Sequence, residues 1–170
     1  RGTSVLRTAH PKFQCLRGNH EDAFLSVLDG DETDLAGWRR FGGRETLLSY
    51  GISDKIVAMG GPLFRSELQD KVPPSHVAFL RALSDSIAFG DYLFVHAGIR
   101  PGIPLDRQDP QDLAWIRADF LESRADHGKV VVHGHTISEQ VDVRANRSGT
   151  LTGASSSGRP SAPGLEGAER

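Results

Sequence analysis

The stretch "FQCLRGNHEDAFL", residues 13–25, decides how the rest of the chain is read. Phe13, Cys15 and Leu16 read as the end of a short strand, and Asp22 to Leu28 reads as a helix. Arg17, Gly18, Asn19 and His20 then occupy a strand-to-helix turn, the place where open α/β sheets keep their chemistry.

Two later stretches share the grammar of "CLRGNH" (15–20): "LFVHAG" (93–98) and "VVVHGH" (130–135) are also apolar runs ending in His near Gly. This pattern puts an imidazole at a strand end, where Gly lets a ligand or a neighbouring backbone come close. Three such ends can converge on one site. The converging groups are Asn19, His20, His96 and His133 or His135, together with arginines. Imidazoles with a neutral amide oxygen suit a borderline divalent metal such as Mn, Fe, Zn or Co, whereas calcium prefers oxygen cages. Metal plus arginine points to a phosphate ester. A lone strand-end His is more often a hydrogen-bonded structural residue, so the repeated context carries this reading. His10, His76 and His127 lack that context and read as surface residues. Asn146-Arg147-Ser148 matches a glycosylation sequon and is read as chance, since no secretory signal accompanies it.

Composition narrows the classes. With 170 residues and 38% apolar content, the chain is expected to bury one core as a single domain. A net charge of −2 gives no polyanion-binding signature, so nucleic acid is not an expected partner. The single cysteine, Cys15, excludes a disulfide framework and a cysteine zinc site. No run approaches the ~20 apolar residues of a membrane span, so no membrane partner and a cytoplasmic location are expected. The chain opens on Arg1-Gly2-Thr3 and is read as a fragment lacking its N-terminal portion.

Along the chain, Asp34 to Phe41 reads as a short helix ended by Gly42-Gly43, and Arg44 to Tyr50 as another ended by Gly51. Pro73 to Leu83 reads as a helix with Pro74 near its start, and Val77, Leu80 and Leu83 direct it onto the sheet. Ser86–Phe89 and Tyr92–Val95, joined by Gly90-Asp91, predict a hairpin. Asp109-Pro110-Gln111-Asp112 opens a helix whose buried stripe is Leu113, Ile116 and Phe120. Lys129 to Val132 reads as a strand buried on both faces. Residues 1–147 form the expected domain. Residues 148–170, crowded with Gly, Ser and Pro, read as a disordered tail in which Leu151 is the last trace of a strand.

Four segments carry a resemblance: "LRGNHE" (16–21), "FVHAGIRPGIPL" (94–105), "DLAWIRADFL" (112–121) and "VVHGHT" (131–136). In this order they resemble the bacterial-type serine/threonine phosphoprotein phosphatases of the calcineurin-like metallophosphoesterase family. "GGRETLLSYG" (42–51) is similar to the connecting segment of those proteins, and the likeness spans roughly residues 13–147. The resemblance implies an α/β fold, a β-sandwich flanked by helices, incomplete here at the N-terminus. It implies hydrolysis of phosphoserine or phosphothreonine in proteins by metal-bound hydroxide, without a phosphoenzyme. Asn19, His96 and His135 match metal ligands, His20 matches the acid that protonates the leaving oxygen, and Arg17 and Arg117 match the arginines that hold the phosphoryl group. No family role transfers to His133. The complete family site takes two divalent ions (Mn, Fe or Zn). The upstream Asp-x-His and Gly-Asp-x-x-Asp-Arg-Gly motifs have no counterpart here, and Leu151 stands where Asp is usual, so at most one weakly bound ion and an inactive isolated chain are expected. A dinucleoside tetraphosphate hydrolase and a non-catalytic phosphatase remnant are the alternatives.

Overall fold

A computed structural model of the chain describes residues 13–138 and 142–150, which fall into two units. The first is helical and comprises Asn19–Leu83, with Phe13. Helix α1, Asn19–Leu28, places Glu21 and Asp22 in its first turn, where carboxylates complement the positive end of the helix dipole. Helix α2, Leu35–Trp38, runs into a wide turn, Arg39–Gly43, before helix α3, Arg44–Ser49. The expected Asp34–Phe41 helix is therefore shorter. The glycine pair bends the chain without ending it, because Gly42 adopts φ +110°, a value that favours glycine.

Helix α4, Asp54–Met59, begins where the Ser53 hydroxyl accepts from the Ile56 amide. Helices α5, Gly61–Lys71, and α6, Pro74–Arg81, follow, each with Pro in its first turn. The core of this unit gathers Phe24, Trp38, Leu47, Ile52, Phe64 and Leu68. Val77 and Leu80 of α6 pack against it, so the helix assigned to the sheet contributes to a helical core. Helical spacing shows that a face is covered without saying by what.

The second unit comprises Gln14–Gly18 and the chain from Ser84 onward. The strand expected around Cys15 and Leu16 is reduced to a single parallel bridge between Leu16 and Ser84, flanked by Arg17 N–H to Ser84 O (2.8 Å) and Ser84 N–H to Cys15 O (3.2 Å). Strands β1, Ser86–Phe89, and β2, Tyr92–Val95, form the predicted hairpin with Phe89 opposite Tyr92. Gly90 supplies the positive φ of the turn (+55°). Helix α7, Pro110–Trp115, is capped by the Asp109 carboxylate, which accepts from the Gln111 amide at 2.9 Å. The chain leaves the helix at Ile116 and resumes in helix α8, Ala118–Leu121. Leu113, Ile116 and Phe120 nevertheless share one core with Leu93, Val95 and Val131. Fully burying Phe120 stabilises by about 1.5–3 kcal/mol.

Strand β3, Val130–His133, lies at the centre of a five-stranded sheet completed by β4, Asp142–Val143, and β5, Arg147–Gly149. The order is β1-β2-β3-β5-β4, with β2, β3 and β5 parallel and the two edge strands antiparallel. This mixed sheet with its helices is an α/β arrangement, as expected. Ser148 and Gly149, read as the start of a polar tail, are instead buried strand residues, because pairing with β3 satisfies their backbone. The expectations for His10, Leu151 and the rest of the tail fall outside the described residues. Among the described residues, no helix is long and apolar enough to cross a membrane.

Candidate metal and phosphate site

Because β2 and β3 are parallel neighbours, with Leu93 opposite Val131 and Phe94 opposite Val132, the residues after them emerge at the same edge of the sheet. The pairing continues past the strands, where Gly134 N–H donates to His96 O at 2.9 Å. His135 then takes φ +58°, a left-handed value uncommon for a residue with a Cβ and held here by its surroundings. This bend brings His135 Nδ1 to 3.2 Å from His96 Nε2, with the rings 5.0 Å apart. Two of the predicted ligands, far apart in sequence, thus meet.

The site wall comes from the α7–α8 region. Trp115 sets its indole edge-on to His135 at 6.2 Å. Arg117, exposed, reaches the hydroxyl of Thr136, the residue after His135, with Nη1 at 3.5 Å, the outer limit of a hydrogen bond. Two features fix this region against the loop after β2. Gly98 is buried where a Cβ would overlap Phe120 and Ile116, so only glycine permits that approach. Arg100 clasps the Asp112 carboxylate with two hydrogen bonds of 2.6 Å and reaches Asp119 at 3.1 Å. That pairing, through the Asp112 hydrogen bonds above all, raises the Arg100 pKa above its ordinary value. Neither Trp115 nor Arg100 was singled out from sequence. An aromatic and a basic residue beside "HAG" and "WIR" carry no spacing signal of their own.

Arg17 is engaged by Asp85, whose Oδ1 accepts from Nε at 2.9 Å and from Nη2 at 2.5 Å. Asn19 and His20 open α1 in the helical unit, where the Trp38 indole N–H donates to His20 Nδ1 at 3.2 Å. His133, one residue before Gly134, is buried edge-on against Phe120 at 5.0 Å. Burial pushes its pKa down, opposed by its hydrogen bond to the Gly134 carbonyl and reinforced by nearby Arg147. His133 is therefore a core residue while His135 faces His96. His76 and His127, read as surface residues, are half-buried and each has a partner. His76 Nδ1 lies 2.9 Å from the Tyr50 hydroxyl, and His127 packs beside Phe120 at 6.0 Å, close to Asn146. The Asn146 amide donates to Ser123 O and Ala125 O, and Arg147 and Ser148 are buried, so the sequon is part of the fold.

The donor chemistry can be tested against a divalent ion. Metal–imidazole bonds of about 2.0–2.1 Å to both nitrogens, 3.2 Å apart, would subtend an angle of roughly 100°, compatible with tetrahedral or octahedral ligation. The pair fits as two cis ligands. Among the described residues no three His, Cys, Asp or Glu side chains gather into a metal-holding group, so the two imidazoles are a partial donor set. No family model and no curated protein matches the chain.

Proposed function

We propose that the chain belongs to a metal-dependent phosphomonoesterase with the calcineurin-like sandwich fold, acting on phosphoserine or phosphothreonine in proteins. The observation that carries the reading is the meeting of His96 and His135 at two parallel strand ends, with Arg117 on the hydroxyl of the next residue, Thr136. His96 and His135, and Asn19 by resemblance, would hold a divalent ion (Mn, Fe or Zn), which when bound supplies Lewis acidity toward water and phosphate. Arg117 donates hydrogen bonds to phosphoryl oxygens, a bidentate task that its planar guanidinium suits. Arg17 is the second arginine of the reading, its guanidinium oriented by Asp85. His20 delivers a proton to the leaving oxygen. A second reading, a module that binds phosphoprotein without hydrolysing it, draws on the partial donor set among the described residues.

The test is calorimetric titration of Mn into residues 1–170, followed by a phosphoserine peptide titrated into the Mn-treated chain, with released phosphate assayed in parallel. Mn binding is expected to be weak and exchangeable, because a neutral donor set does not offset the ion's charge. Its affinity should fall at least about tenfold in His96→Ala and in His135→Ala. Phosphate release from the peptide would exclude the second reading. Mn affinity unchanged in both histidine variants would remove the site.

A further inference from the structure

The Trp38 indole is held from two sides inside the helical unit. Phe24, one turn after His20 on α1, stacks on it with centroids 5.5 Å apart and planes 23° apart. At Gly43 a Cβ would overlap the indole carbons Cδ2, Cε2 and Cε3, so the backbone itself lies against the ring. The side chain is buried, and a buried indole N–H needs an acceptor. It finds His20 Nδ1 at 3.2 Å. Indole nitrogen is a donor only. His20 Nδ1 must therefore present a lone pair, and a neutral imidazole with its lone pair there carries its proton on Nε2.

We infer that Trp38 is a positioning residue that fixes His20 in the Nε2–H tautomer and fixes the plane of its ring. The catalytic consequence rests on the reading above: with Nδ1 held by Trp38, Nε2 is the ring nitrogen left to serve the leaving oxygen. The "GG" of residues 42–43 then has a purpose beyond bending the chain. Gly43 seats the indole, and Gly42 brings the backbone beside the imidazole, its Cβ position 3.7 Å from His20 Cε1.

The test uses the full chain with 15N-labelled histidine and two-bond 1H–15N correlation at about pH 8, where an ordinary imidazole is neutral. His20 is assigned through the signals lost in His20→Asn. Expected are a lone-pair shift at Nδ1 and a protonated shift at Nε2, and in Trp38→Phe a movement of the two shifts toward each other as the tautomers mix. Phe keeps an aromatic ring on Phe24 and removes the donor together with part of the indole's contact with Gly43. A protonated Nδ1 in the unaltered chain, or a His20 spectrum unmoved by Trp38→Phe, would overturn the inference. Should Trp38→Phe not fold, the indole N–H proton of Trp38 is followed in His20→Asn, where loss of the imidazole acceptor should shift it. An unmoved indole signal also overturns the inference. None of these signals depends on turnover, so a chain that hydrolyses nothing leaves the tautomer result standing.

Discussion

Replacing Arg147 by Met should leave the fold about as stable or make it more stable, whereas replacing its partner Asp142 by Asn should weaken it. Arg147 is 1% exposed and donates from Nη2 to Asp142 Oδ2 at 2.9 Å, but its Nε and Nη1 are buried with no hydrogen-bond partner among the described residues. Each buried unsatisfied donor costs about 1–3 kcal/mol, so the two come to roughly 2–6 kcal/mol. Against this stand one charge-assisted hydrogen bond, about 1.5–3 kcal/mol, and a cation–π contact with Phe120 at 5.9 Å, about 0.5–2 kcal/mol. The terms nearly cancel, and Met keeps most of the apolar stem in the core. Asp142→Asn instead leaves a buried guanidinium without its counter-charge, a loss of about 3–5 kcal/mol for a fully buried pair. Because the Asp142 side chain is 35% exposed, the loss should sit at or below the low end, roughly 2–3 kcal/mol. Urea unfolding followed by far-ultraviolet circular dichroism measures both variants and the double variant, which should recover most of the Asp142→Asn loss. If Arg147→Met proves as damaging as Asp142→Asn, the pair is net stabilising and the reasoning fails.

Arg117→Ala should weaken competition by inorganic phosphate about tenfold or more while Mn affinity stays unchanged, because a guanidinium does not ligate a cation. Mn loss with phosphate affinity intact would contradict the assignment. Gly98→Ala should destabilise by about 1–3 kcal/mol through overlap with Phe120 and Ile116, read as a lower urea midpoint. A neutral result would mean that the loop after β2 can yield. Burial holds the His127 pKa below its ordinary value, with Asp126 opposing and Arg147 reinforcing. The unfolded chain then binds the proton more readily, so stability present above the unfolded value near 6.5 is lost as pH falls through the folded value. His127→Gln should flatten part of the fall in urea midpoint between about pH 7.5 and 5.5; an unchanged slope would show that His127 plays no part in it.

Features encoded locally were legible before the structure. The Gly90-Asp91 turn, the Asp109 cap and the valines of β3 each carry their own signal, and each appears where expected. The meeting of His96 and His135 was legible because both end apolar runs that turned out to be parallel neighbours. Helices α4 and α5 were not read, because Gly60 and Gly61 interrupt the pattern and both adopt positive φ. Arg147 sits in a sequence that looks exposed, and only the pairing of β5 with β3 reveals that it is interior. The Trp38–His20 bond joins residues 18 positions apart through a bend that helical spacing does not describe.

The parallel pairing of β2 with β3 also governs when the imidazole pair comes into being as the chain folds. The β1–β2 hairpin closes across two residues and can form within microseconds, before most of the unit is ordered. His96 and His135 stand 39 positions apart, and bringing them together requires the far larger loop through α7 and α8. That closure carries on the order of 2–3 kcal/mol more chain entropy than the hairpin. Non-local parallel pairing of this kind is the slow class of contact. The two nitrogens are therefore expected to be unpaired in early, hairpin-containing forms, so that a metal ion encountering the nascent chain meets separate imidazoles until the central strand has docked.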